Sequence, residues 1–201
     1  MAPMPTNEMT VPLPPHPAAG APAPALRLRP WRPDDAAVLA ALHRDDTLRR
    51  WTATAVENEA GAARWIEEQR RHREAGDRFA FAVVAAGGAG ERVMGHVVVK
   101  NLAPGRATAE VGYWTAAHAR GRGVAPRALA ALSDWAFAAF AGQGLARLEL
   151  IHQEDNTASC RVAAKCGFDL TATLPAAPPA YPRPGHLHAR AAATPAGPRS
   201  A

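Results

Sequence analysis

The chain has 201 residues, a formal net charge of +5, 48% hydrophobic residues and 2 cysteines. That length suits one domain with tails, and so few cysteines exclude a disulfide framework. The start lacks the charged and apolar regions of a secretory signal and no apolar run reaches transmembrane length, so a cytoplasmic protein with no membrane partner is expected.

Residues 1–25 are rich in Pro and Ala and almost without large apolar groups, which predicts a disordered tail. Residues 26–192 read as one domain and residues 193–201 as a second flexible tail. The domain opens with a strand over Leu26–Trp31. Pro33, Asp34 and Asp35 then start a helix through Ala36, Leu39, Ala40 and His43, with acidic groups at its positive end. A second helix, from about Ala60 to Glu74, turns Trp65, Ile66 and Gln69 to one side and charges to the other. Between the two lies Trp51, either lining a site or stapling a loop. Phe79–Val84 and Val93–Val99 read as paired strands around a glycine-rich turn at Gly87–Gly90.

The most informative stretch follows. Ala109–Thr115 reads as a strand and Val124–Phe140 as a helix with Leu129, Leu132, Ala136 and Phe140 on one stripe. Arg120, Gly121, Arg122, Gly123, Val124 and Ala125 join them. A glycine-rich turn at a helix start leaves backbone N–H groups unpaired, and with the helix dipole they suit a phosphate or pyrophosphate. Arg120, Arg122 and Arg127 add positive charge at that mouth. A Walker loop would end in Lys-Ser or Lys-Thr, and the dinucleotide fingerprint needs a third spaced glycine; neither is present.

Leu145–Ile151 alternates as a strand. Asn156 then caps a short helix with Ser159, Val162, Ala163 and Cys166 at helical spacing, ended by Gly167. Gly185–Ala191 reads as a last strand on which His186 and His188 share a side; both, with His152 at a strand end, are expected at the surface. Cys160 and Cys166 are expected as small buried filler, and no metal site is expected. The arginines of Arg70-Arg71-His72-Arg73 lie on a helix face without interleaved aromatics, so no nucleic-acid partner is expected either.

The two motifs, in this order and separation, resemble the GNAT superfamily of acyl-CoA-dependent N-acetyltransferases. Arg120, Gly123 and Ala125 fill the defined positions of that family's Arg/Gln-x-x-Gly-x-Gly/Ala loop, and Asn156–Phe168 is similar to its Rim-type branch. The resemblance implies an α+β fold, a twisted, mostly antiparallel mixed sheet flanked by helices. It also implies acetyl-CoA as acyl donor, held at Arg120, Gly121, Arg122, Gly123, Val124 and Ala125. A bulge around Gly112–Thr115 would splay the strand, so that Trp114 or Thr115 contacts the thioester through its main chain, and Asn156 would bond the pantetheine arm. Glu110 is the candidate general base and Ser159 the candidate acid, because the tyrosine many members carry on this helix is here Ala163. The acceptor is an amine, a protein N-terminus or a small molecule, and the chain a monomer or homodimer. The alternative is a coenzyme-A-binding regulatory or partner module without catalysis.

Overall fold

The computed structural model describes residues 25–52, 56–87, 90–179 and 181–193. The expected tails, apart from Ala25 and Ala193, lie outside the described residues, as does the tip of the glycine turn.

Among the described residues, seven strands form one mixed sheet: β1 (Leu26–Pro30), β2 (Arg78–Gly87), β3 (Gly90–Lys100), β4 (Thr108–Thr115), β5 (Arg147–Gln153), β6 (Asp169–Leu174) and β7 (Gly185–Ala191). Their spatial order is β1-β2-β3-β4-β5-β7-β6. Only β4 and β5 run parallel; every other neighbouring pair is antiparallel. A parallel pair needs a crossover, and α4 (Val124–Phe140) supplies it.

Alternation divides the sheet into two apolar faces. On one, Val97, Val99, Ala109, Val111, Leu148 and Leu150 meet the stripe of α4, whose Val124, Ala128, Leu129, Leu132, Ala136 and Phe140 are all buried. The stripe expected from the sequence is therefore the core contact. On the other face, Ala80, Ala82, Val84, Val93 and Val98 are covered by α1 (Ala36–Leu42) and α3 (Glu59–Ala75) through Leu39, Ala62 and Ile66. Fully burying a residue such as Leu132 stabilises the fold by about 1.5–3 kcal/mol, so these two layers carry the domain.

The helix ends follow local chemistry. Asn58 caps α3 through its side chain, accepting from Gly61 N, and Gly76 closes the helix at φ 79°, where only glycine sits without strain. Two elements were not expected. The first helix is broken into a 3-10 turn (Pro33–Asp35), α1 and a separate α2 (Asp46–Trp51), because Asp45 accepts from Leu48 N and starts a new helix. β6 is an edge strand with Leu170 55% exposed, so its sequence carries little alternation for a buried face to impose.

Candidate active site

β4 and β5 part company beside α4. Their parallel pairing runs from Thr108↔Arg147 to Val111↔Leu150 and then stops, while β4 stays in step with β3 as far as Gly95↔Thr115. The expected bulge is not in β4: the irregular step lies one strand away, where Val83↔Gly95 is followed by Val84↔Val93 and Met94 is the extra residue. Met94 O accepts from Ala116 N at 2.9 Å. Continuing that alternation, Gly112 and Trp114 turn their main chain to β3, and Tyr113 and Thr115 turn theirs to the side that β5 has left. Of the two residues expected to contact a thioester, Thr115 has the main-chain orientation for it.

The loop at the mouth of this parting has the expected shape. Gly121 and Gly123 take φ 73° and 68°, Gly123 is the N-cap residue, and α4 begins at Val124. These left-handed positions let successive N–H groups turn toward one point. Val124 is buried as an anchor, whereas Gly121 and Arg122 are exposed and Gly123 and Ala125 are partly so. The Arg120 guanidinium grips Asp45, its Nη1 lying 3.3 Å from Oδ2 with a second contact from Nη2 to Oδ1. Asp45 is also the cap of α2, and the hydrogen bond from Arg120 holds its carboxyl below the usual range. The loop is thereby tied to the start of α2.

On the far side of the parting, α5 (Thr157–Lys165) presents Ser159. Asn156 Oδ1 accepts from Ser159 N at 3.2 Å, which caps the helix and leaves the donor end of that amide out of the capping bond. Ser159 Oγ lies 2.8 Å from the Tyr113 hydroxyl. Burial pushes the Tyr113 phenol up to about 12, the bond to Ser159 restraining the rise, so it remains a hydrogen-bond donor through the neutral range. Tyr113 was not picked out from the sequence. Its odd position on β4, alternating with Glu110, Gly112 and Trp114, was the available signal. Ala163 is fully buried in the core.

Glu110 lies on the opposite face of β4 from Tyr113. Its Oε1 is 2.8 Å from Lys100 Nζ and its Oε2 accepts from Asn101 Nδ2 at 3.2 Å. Three residue steps along the strand, roughly 10 Å, separate it from Tyr113. Trp114 belongs to an aromatic group on that same face, stacked on His96 at 5.6 Å and edge-on to His43 at 5.5 Å. Trp31 Nε1 donates to His96 Nδ1 at 3.1 Å inside this group. Trp51 ends α2 with the Arg50 guanidinium 4.7 Å above its ring, and Arg50 and Arg183 both reach Asp155 at the turn before α5.

The Acetyltransferase (GNAT) domain model matches residues 25–169. The chain belongs to the GNAT acetyltransferase family. Solved structures similar to this GNAT chain include RimJ of Mycobacterium smegmatis in complex with a coenzyme A disulfide, 26% identical with a TM-score of 0.73, covering 85% of this chain and 83% of that one. RimL, a ribosomal L7/L12 α-N-protein acetyltransferase in complex with coenzyme A, is 19% identical with a TM-score of 0.73 over 83% of this chain and 93% of that one. The microcin C7 self-immunity acetyltransferase MccE, in complex with acetyl-CoA and AMP, is 19% identical with a TM-score of 0.72 over 83% and 92%. The latter two are likenesses of fold. No curated protein sequence matches the chain. Among the described residues no helix is long and apolar enough to cross a membrane.

Three expectations about polar residues need correction. Cys166 is buried, with its thiol 3.2 Å from Pro126 O and pushed up to about 11 by burial, as filler should be. Cys160 is not filler: its Sγ lies 3.7 Å from His152 Nε2 and 3.4 Å from His186 Nδ1. His152 and His188 are not surface groups; burial lowers both below the ordinary histidine range, and His188 is 5% exposed. The reason is register: Leu150↔His188 and His152↔His186 lie on the sheet face that carries Leu148 and Leu150 into the core, and α5 covers it.

Proposed function

We propose that this GNAT chain transfers an acetyl group from acetyl-CoA directly to a primary amine, at a protein N-terminus or on a small molecule. The observation that carries the reading is the parting of β4 from β5 after Val111, with the glycine loop at one end and the Tyr113–Ser159 pair on its α5 side. Coenzyme A in the bound relatives supports acetyl-CoA as donor. RimL, described as acting on a ribosomal protein, supports a protein N-terminus as acceptor. A cytoplasmic setting is part of the same proposal.

The donor's pyrophosphate would meet the N–H groups at Gly121–Ala125, with Arg120 and Arg122 adding charge. Its pantetheine arm would run along the freed edge of β4, bonding Thr115 and the Asn156 amide. The thioester carbonyl then accepts from a main-chain N–H whose charge stabilisation grows as the oxyanion forms. The amine nitrogen attacks the carbonyl carbon from the Glu110 face, and Glu110 takes the ammonium proton through a chain of waters. Collapse breaks the C–S bond. Ser159 donates a hydrogen bond to the departing thiolate while Tyr113 donates to Ser159, and the thiolate finally takes its proton from water, to which Glu110 returns the one it took. Amine and acetyl-CoA go in; amide and free coenzyme A come out.

The test is incubation with isotope-labelled acetyl-CoA and a panel of N-terminal peptides and small amines, read by mass. Label on an acceptor nitrogen supports the proposal. Tight donor binding with no labelled acceptor would favour the non-catalytic module instead.

A further inference from the structure

We propose that His152, Cys160, His186 and His188 form a zinc site that pins α5 to β5 and β7. One ligand atom from each of the four residues lies within 4.8 Å of all the others. Zinc in a closed site takes four N or S ligands at the corners of a tetrahedron, with Zn–N about 2.0–2.1 Å and Zn–S about 2.3 Å. The edges of that tetrahedron are roughly 3.3–3.6 Å. Cys160 Sγ already lies 3.7 Å from His152 Nε2 and 3.4 Å from His186 Nδ1, close to that edge length.

The rings have the matching arrangement. Two imidazoles sharing a tetrahedral ion have centres about 5 Å apart, and here the three separations are 5.7 Å, 5.1 Å and 6.1 Å. The outer shell is also in place for one ligand. His152 Nδ1 lies 2.8 Å from Gln153 O, so Nδ1 carries the hydrogen and Nε2 turns its lone pair toward Cys160. The buried His188 supplies an independent sign. Both of its ring nitrogens are shielded from solvent, and only one has a polar main-chain neighbour, at Phe168, so the other lacks a partner at a cost of about 1–3 kcal/mol. A metal would satisfy it.

Thiolate with imidazoles suits zinc, and four protein ligands leave no corner for water, which marks a structural ion. The thiol proton leaves as the ion binds. The ligands come from the hydrogen-bonded strand pair β5 and β7 and from α5 packed over it, and Cys160 is the neighbour of Ser159. An ion there fixes the helix that presents Ser159. That consequence rests on the acetyltransferase reading; the site itself does not.

The experiment uses the full chain without a histidine tag, stripped with chelator and titrated with cobalt(II), then zinc. We expect one cobalt per chain, with the visible bands of tetrahedral cobalt and a thiolate-to-cobalt charge-transfer band, both erased by zinc. Cys160→Ala should lose the thiolate band, and His186→Ala should bind roughly a hundredfold more weakly or worse. Zinc should raise the melting midpoint of the wild type but not of Cys160→Ala, and Cys166→Ala should behave as wild type. Circular dichroism shows that the variants are folded. A wild-type protein with no thiolate band, or a band that survives Cys160→Ala, overturns the site. Neither readout involves turnover, so a failed zinc site and a failed acetyltransferase reading remain distinct results.

Discussion

Tyr113 and Ser159 meet across the parting of the sheet, the phenol of a β4 residue 2.8 Å from the hydroxyl of a residue at the start of α5. A serine alone is a weak partner for a departing thiolate; a serine that receives a hydrogen bond from a buried phenol is a better donor. Ser159→Ala should lower kcat roughly a hundredfold and Tyr113→Phe about tenfold, with little change in the KM for acetyl-CoA. Because the two act as one unit, the double variant should be scarcely slower than Ser159→Ala. Steady-state rates of the three variants check this, and fully additive losses would separate the two roles.

Glu110 is proposed as base from the other face. Glu110→Gln should reduce kcat by about two powers of ten near neutral pH, and the loss should shrink as pH rises and the amine deprotonates unaided. Donor affinity should hardly move, since the phosphate loop is far along β4. A wild-type rate across pH would remove Glu110 and leave its bond to Lys100 as an ordinary strand-to-strand ion pair.

The donor site gives opposite signs for two loop changes. Gly123→Val forces a branched residue into φ 68° at a cost of about 1–2 kcal/mol or more, and should abolish the melting shift from acetyl-CoA while the fold persists by circular dichroism. Asp45→Asn keeps a side chain able to cap α2, yet removes a carboxylate from the phosphate mouth and frees Arg120. It should tighten acetyl-CoA binding a few-fold at low salt, an advantage that fades as salt is added. Calorimetric titration of both variants tests the pair.

Much of this arrangement was legible in the sequence. The stripe of α4 and the bounds Val124–Phe140 follow from helical periodicity and the glycines on either side, and Asn156 caps α5 as its place before an apolar periodic run predicts. What could not be read depends on which strands become neighbours. His186 and His188 share a face by alternation alone, but only the insertion of β7 between β5 and β6 sets them against His152 and under Cys160. Tyr113 likewise needs α5 folded over β4 before it has a partner. The irregular step at Met94 was hidden for another reason: Met94-Gly95 sits in an otherwise regular apolar run, and Gly95 matters because a Cβ there would fall 2.5 Å from Trp114 O.

His96 makes the fold sensitive to acid. Burial pushes its imidazole down to about 3, with Arg78 adding to the effect. The unfolded chain therefore takes up a proton below about pH 6.5 that the folded chain refuses, so this group's contribution is intact above that pH. It is lost as pH falls from about 6.5 toward 3, by up to about 1.4 kcal/mol per unit. His96→Gln retains an acceptor for Trp31 Nε1 and should flatten the slope. Denaturant midpoints between about pH 7 and pH 4.5 decide it: parallel curves for the two proteins would place the acid sensitivity elsewhere.

Direct transfer at the parted strands is the central claim, and initial-rate kinetics address it most squarely. Coenzyme A thiol release is followed while acetyl-CoA and a working acceptor are varied together. Because donor and amine must occupy the parting at once, reciprocal plots should intersect, and free thiol should appear in equal amount with acetylated amine. Parallel plots, the mark of an acetylated enzyme intermediate, or thiol release no faster than without protein would contradict the account.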